Sequence, residues 1–151
     1  MIQLIRTNSQ NQDFIALVTK LDAGLAITDG DEHAFYDQFN KIDAIKYVIV
    51  AYQDKIAVGC GAIKEYEAQT MEVKRMYVDP NFRGNGIAST ILNELEKWSR
   101  EMSYNKCILE TGKRQVEAIA LYRKNDYLKI ANYGQYTGVL NSLCFEKNLK
   151  L

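Results

Sequence analysis

Arg83-Gly84-Asn85-Gly86-Ile87-Ala88 lies between a β-like run, Met71 to Val78, and an amphipathic stretch that opens at Ile87. A glycine-rich turn feeding a helix leaves the first backbone N–H groups of that helix without intrahelical partners, all aimed at one place. The helix dipole adds about half a positive charge there. Glycines let the backbone approach a bulky anion and take up φ > 0 where needed. A phosphate or pyrophosphate is the natural guest. Taken alone, Gly-x-Gly is equally what a tight turn before a helix requires.

Working outward, the stretch after the glycines places Ile87, Ile91, Leu92, Leu95, Trp98 and Met102 on one stripe, with Asn93, Glu94, Glu96, Lys97, Arg100 and Glu101 opposite. Upstream, Ile2–Arg6 alternates as a first strand, and Gln12–Leu21 carries apolar residues at helical spacing. Asp29 or Asp31 is positioned to cap a second helix running through Phe39. Tyr47–Tyr52 is a short apolar run rich in β-branched residues, and Gln53-Asp54 turns it into Ile56–Ile63, loosened by Gly59 and Gly61. Ala68-Gln69 turns again into Met71–Val78. Beyond the long helix come a strand at Lys106–Glu110, a helix at Gln115–Asn125, and closing strands at Tyr127–Ala131 and Leu143–Lys147. The order β-α-α-β-β-β-α-β-α-β-β predicts an α/β chain with a mixed sheet and helices on both faces.

The totals bound the function. The 151 residues, 47% hydrophobic and 25% charged, fit one globular domain over 1–151. No apolar run approaches the roughly 18 residues of a membrane span, and the N-terminus lacks a secretory pattern, so a cytoplasmic protein is expected. Cys60, Cys107 and Cys144 are odd in number and sit in apolar runs, which predicts reduced core residues and no metal site. Net charge is zero, so nothing global points to nucleic acid. Residues 1–70 hold six basic and ten acidic side chains, residues 71–151 thirteen and nine. Either a bipolar molecule receives an anion at its basic end, or the partition is chance surface charge.

Spacing rules out a Walker A loop and weakens a dinucleotide site, which stays as a third reading. No Gly-x-x-x-x-Gly-Lys-[Ser/Thr] string exists, and Gly112-Lys113-Arg114 lacks both the earlier glycine and the hydroxyl. A dinucleotide fingerprint would need glycine where Ser89 stands. Glu110 imitates its ribose-binding acid, but too little chain follows for the second half of such a fold.

Val78-Asp79-Pro80-Asn81-Phe82-Arg83-Gly84-Asn85-Gly86-Ile87-Ala88 resembles the acyl-CoA signature of the GNAT N-acyltransferase superfamily, Arg/Gln-x-x-Gly-x-Gly/Ala, filled by Arg83, Gly86 and Ala88. Gln115-x-x-Ala118-x-x-Leu121-Tyr122-x-Lys124-x-Asp126-Tyr127 is similar to the family's second block, Asn-x-x-Ala-x-x-Leu-Tyr-x-Lys-x-Gly-Phe. The element order agrees, so the resemblance spans nearly the whole chain. The closing stretches Asn132–Tyr136 and Cys144–Lys147 resemble a bacterial subgroup with poorly defined substrates. Two positions depart: Gln115 replaces an asparagine that touches the pantetheine arm, and Asp126 replaces a glycine. The resemblance implies a GNAT-like fold, with a mostly antiparallel twisted sheet of six to seven strands. It implies acetyl-CoA as cosubstrate, without a metal, and a small-molecule, amino-acid or peptide amine as acceptor. Whether two copies pair through the closing strands stays open, as does a non-catalytic acyl-CoA sensor.

An alkylammonium with pKa near 10.4 is neutral about once in 2,500 molecules at pH 7, a deficit of roughly 4.6 kcal/mol. The attacking amine therefore needs a proton acceptor. By resemblance Glu72 is that base, directly or through water, with His33 the other proton-carrier candidate. Alternation places Glu72 with Lys74, so an ion pair is the competing reading. A bulge in its strand, implied by the family, would change which way it faces. By resemblance Tyr122 protonates the leaving thiolate, a step uphill by about 1.5 pK units, or roughly 2 kcal/mol, at reference values. As a residue it is equally a packed tyrosine with a bonded hydroxyl. Backbone groups of Met76, Tyr77 and Val78 are expected to pair with pantetheine as an added strand, one N–H serving the oxyanion. The amides of Arg83 through Ala88 are expected to hold the pyrophosphate, with Arg83, Ser89, Thr90, Gln115 and Lys124 adding contacts. The acids and aromatics of Asp31–Asn40 suit an amine substrate, with His33, Phe35, Tyr36 and Phe39 as pocket candidates. Read residue by residue they are an ordinary amphipathic helix. Tyr133 and Tyr136 are expected to close the opposite wall.

Overall fold

The computed structural model describes residues 1–29 and 45–150. Seven strands form one sheet: β1 (Ile2–Thr7), β2 (Tyr47–Gln53), β3 (Ile56–Glu67), β4 (Thr70–Val78), β5 (Lys106–Gly112), β6 (Leu128–Ile130) and β7 (Ser142–Asn148). Their spatial order is β1-β2-β3-β4-β5-β7-β6. Every neighbouring pair is antiparallel except β4 with β5. Three α-helices stand among the described residues, α1 (Gln12–Asp29), α2 (Ile87–Glu101) and α3 (Val116–Lys124), with short 3-10 turns at Pro80–Phe82 and Gly134–Tyr136. The mixed sheet with helices on both faces is as the sequence predicts.

The two faces have separate cores. On one, Phe14, Leu17 and Val18 of α1 pack on Val48, Val50, Cys60 and Ala62. On the other, Ile87, Ile91, Leu92 and Leu95 of α2 and Tyr122 of α3 cover Ile49, Met71, Val73, Leu109 and Phe145. Gly59 and Gly61 do more than loosen β3. A Cβ at Gly59 would lie 2.9 Å from the Tyr77 carbonyl oxygen, and one at Gly61 2.6 Å from Met76 Sδ and 2.9 Å from Ile91. Bare backbone is what lets α2 and β4 close on β3.

Local chemistry sets the boundaries. Asn11 caps α1, its Oδ1 accepting from the Phe14 N–H at 3.0 Å. The helix then runs well past Leu21, to Asp29. Asp31 and the expected helix through Phe39 lie outside the described residues. The β2–β3 hairpin turns on Asp54-Lys55, both at positive φ, one residue later than expected. β3 continues to Glu67 because Lys64 and Glu65 still pair with β4, although their exposed polar run hides this in the sequence. Asp126 takes φ 72°, the glycine-like conformation, where its amide donates to Arg123 and the next amide to Tyr122. That is a Schellman closure of α3, so aspartate fills a glycine role here.

Glu96 departs from the polar stripe. It is 2% exposed, accepting from Lys147 Nζ at 2.8 Å and from the Tyr127 hydroxyl at 2.9 Å. The three cysteines are unpaired and buried, and burial pushes the thiols of Cys60 and Cys107 up to about 12 and about 11. No helix among the described residues is long and apolar enough to cross a membrane.

Removing one partner of a buried pair strands the other and costs about 3–5 kcal/mol. Glu96→Ala should therefore lower the midpoint of thermal unfolding by roughly 8–15 °C, read by circular dichroism. A shift below about 3 °C would mean that Lys147 and Tyr127 find water instead.

Candidate active site

The site originates where two strands part. β4 and β5 pair in parallel only at Thr70↔Lys106, Met71↔Cys107 and Glu72↔Ile108. Past that point β5 follows β7 and β4 follows β3, leaving a wedge between them. β4 carries one extra residue near its middle, since Cys60 and Ala62 face Tyr77 and Lys74. Arg75 absorbs it at φ 60°, a left-handed conformation that costs a non-glycine residue roughly 1 kcal/mol. A bulge of this kind bends the strand that bears it. It lies beyond Glu72, so Glu72 and Lys74 still share a face, while Met71, Val73, Met76 and Val78 turn toward α2.

On the α2 side a groove of about 450 Å³ runs along the wedge. Its walls are Met76, Tyr77 and Val78 of β4, Arg83, Gly84, Gly86, Ile87, Ala88 and Ser89 of the turn and α2, and Gln115, Tyr122 and Lys124. Gly84 and Gly86 stand at φ 85° and 77°, with nothing within 4 Å of an added Cβ. No side chain caps α2, and the Thr90 amide is the one that reaches back to the Gly86 carbonyl, at 3.0 Å. The first-turn amides therefore face the groove, a donor set suited to a diphosphate. Backbone of β4 past Glu72 has no strand on its β5 side, which suits an extended amide-bearing chain.

Side chains of the turn are more committed than the sequence suggests. Arg83 folds back, its Nε donating to the Val78 carbonyl at 2.8 Å and its guanidinium lying 5.6 Å from the Tyr77 ring centre. Asn85 does not line the groove and donates to the Phe82 carbonyl at 3.2 Å. Ser89 Oγ accepts from Asn125 at 3.1 Å, tying the start of α2 to the end of α3.

A second cavity of about 150 Å³ opens on the α1 side of the wedge, lined by Glu72, Lys74, Arg75, Glu110, Thr111 and Tyr136 with Leu21 and Leu25 of α1. Glu72 is 7% exposed and accepts from the Tyr133 hydroxyl at 2.6 Å, with Lys74 Nζ 3.7 Å from its other oxygen. The Glu72–Lys74 pair thus exists, but within a cavity wall. Tyr133 lies behind Glu72 and Tyr136 lines the space, their rings meeting edge to face at 5.8 Å. Burial raises both phenols above the ordinary value, followed by the charge of Glu72 for Tyr133 and of Glu110 for Tyr136. His33, Phe35, Tyr36 and Phe39 lie outside the described residues.

Tyr122 joins the two spaces. It lines both, together with Leu21, Met76, Gln115 and Ala118. Burial, and secondarily Glu110, holds its phenol well above the usual tyrosine range. Reading residues alone passes over Leu21, Leu25, Arg75 and Glu110 as parts of one site. The signal for Arg75 is the apolar spacing in β4, residues 71, 73, 76 and 78, which slips by one where Lys74 and Arg75 stand together. Among the described residues no group of three or more His, Cys, Asp or Glu could hold a metal ion.

A parallel strand pair that splays open, a bulged β4 and an uncapped helix start across the gap define an acyl-CoA transferase architecture. The model of the GNAT acetyltransferase family matches residues 15–127, and the chain belongs to that family. An IAA acetyltransferase of Azospirillum brasilense is 39% identical over 102 residues, 67% of each chain. The uncharacterized N-acetyltransferase YjgM of Escherichia coli is 30% identical over 67% of this chain and 61% of its own. Among solved structures, one from Klebsiella pneumoniae described as an acyl-CoA N-acyltransferase superposes with TM-score 0.84, 30% identity and 99% coverage of both chains. The yncA protein of Salmonella typhimurium, solved with acetyl-CoA, shares the fold at TM-score 0.72 and 14% identity, over 100% of this chain and 95% of its own.

Gly86→Ala forces a Cβ into a left-handed position and tilts the first-turn amides. Titration calorimetry should give an acetyl-CoA affinity roughly tenfold weaker, a loss of about 1.4 kcal/mol. Unchanged affinity would place the diphosphate elsewhere.

Proposed function

We propose that this chain is an acetyl-CoA-dependent N-acetyltransferase acting on a primary amine of a small molecule, amino acid or peptide. The observation that carries the reading is Tyr122, common to a diphosphate-suited groove and a carboxylate-lined cavity. Acetyl-CoA supplies the activated acyl group and a thiolate leaving group. The amides at 84–89 would seat its diphosphate, and Met76 and Tyr77 would offer backbone to its amide-bearing arm, since the Val78 carbonyl is held by Arg83. Gln115 and Lys124 border the same path.

Glu72 is the proton acceptor for the incoming ammonium. Tyr133 donates to one of its oxygens, which leaves the other, beside Lys74, toward the cavity. The freed amine attacks the thioester carbonyl directly, and the C–S bond breaks as the C–N bond is made. Tyr122 gives its proton to the departing sulfur, and the second proton shed by the nitrogen restores the phenol. The phenol's raised affinity for its proton would oppose the step against a thiolate in water. Burial acts on both partners, however, and in this same protein it lifts thiols to about 11 and about 12. A thiolate formed beside Tyr122 and shielded from water is raised in the same direction, which reduces the mismatch.

Tyr122→Phe should lower kcat by roughly 10²–10³-fold in a thiol-release assay, with acetyl-CoA affinity within about twofold of the parent. Equal turnover would remove Tyr122 from the chemistry. Absence of turnover on a broad amine panel, with acetyl-CoA still bound, would favour a sensor. A raised folded pKa keeps the acid form present to higher pH. The kcat profile should therefore climb as the amine deprotonates and show no falling limb below about pH 10. A decline near pH 8–9 would assign the acid elsewhere.

A further inference from the structure

The small cavity holds a cation that the chemistry above does not use. Arg75 is 7% exposed and occupies the strained position of the β4 bulge. Its Nη1 donates to Asp22 of α1 at 2.7 Å. Its Nε, on the other edge of the guanidinium, has no hydrogen-bond partner and is shut off from solvent, so a ligand in the cavity reaches that edge only as the guanidinium turns toward it. Native proteins rarely leave a buried donor unmade, and an arginine edge matches the two oxygens of a carboxylate. Lys74, the other cation of the wall, already stands beside Glu72.

We propose that the free edge of Arg75 receives a carboxylate carried by the acceptor, so that the amine acetylated here belongs to a small amino acid. The inference rests on reading this cavity as the acceptor compartment. Glu72 and Glu110 supply negative charge where β4 and β5 part, and Arg75 supplies positive charge farther along β4. A wall with both signs fits a zwitterion better than a simple amine. The space beside Arg75 is about 150 Å³ and open to solvent, room for the head of an amino acid. Glycine, alanine and serine are the simplest molecules that carry both an amine and a carboxylate.

The test compares glycine, alanine and serine with their amides as acceptors of the native protein, following thiol release from acetyl-CoA. At least one acid should exceed its amide by roughly 30-fold in kcat/KM, the scale of a charged hydrogen bond. Arg75→Gln should raise KM for that acid by a similar factor, leave KM for acetyl-CoA unchanged and abolish the preference over the amide. Arg75→Lys should restore part of it. Since the single change strands Asp22, the double variant Asp22→Asn with Arg75→Gln is measured alongside as a folded control. Amides equal to acids, or a preference that survives Arg75→Gln, overturns the proposal. If acetyl-CoA binds but no amine turns over, transferase activity itself has failed. The carboxylate seat is then read by calorimetry of alanine against alaninamide on the coenzyme A complex, where absent or equal alanine binding overturns it.

Discussion

The parting of β4 from β5 after Glu72↔Ile108 is the constraint from which the site follows. Two parallel strands held together along their length would bury the backbone of both and leave no passage between the faces. Here each strand keeps its outer partner and surrenders the inner one, so the sheet stays continuous while a gap opens through it. The bulge at Arg75 bends β4 away, and β7 holds β5 in place along its whole length. Tyr122 can then belong to the α2-side core and still line the cavity on the α1 side.

Stability has to come from both sides of that gap. α2 closes on the bare backbone of Gly59 and Gly61, and the apolar side chains of α2 bind β3 and β4 into one unit. Leu109 of β5 and Phe145 of β7 share that apolar core, and Glu96 adds a polar tie from the same helix to Lys147 and Tyr127. A buried ion pair adds little net stability over apolar packing, but it tolerates few alternative registers. It sits where β7 must be held in register for the wedge to keep its width. Asn125 bonded to Ser89 adds a second tie between the two helices that flank the groove.

Most of the fold was legible because its signals are local. Alternation in β4, the stripe of α2 and the Gly84–Gly86 turn each depend on a few neighbouring residues, and the structure places them accordingly. What escaped the sequence depends on distant residues. α1 continues past Leu21 through a stretch that carries no strong helical stripe, and there Leu21 and Leu25 line the small cavity. Glu96 looks like a solvent residue until Lys147 and Tyr127 arrive from the other end of the chain. Arg75 reads as surface charge until Asp22 and the bulge bring it inside. For Glu96 and Arg75, charge in the sequence indicated exposure, and a partner far along the chain reversed it.

The cysteines have a practical side. Cys60, Cys107 and Cys144 are wholly shielded, and burial makes all three thiols reluctant to ionise. Only a thiolate attacks the aromatic disulfides and maleimides used to titrate sulfhydryls. The folded protein is therefore silent toward such reagents near neutral pH, and any colour that develops reports coenzyme released from the thioester or molecules that have lost their native shape.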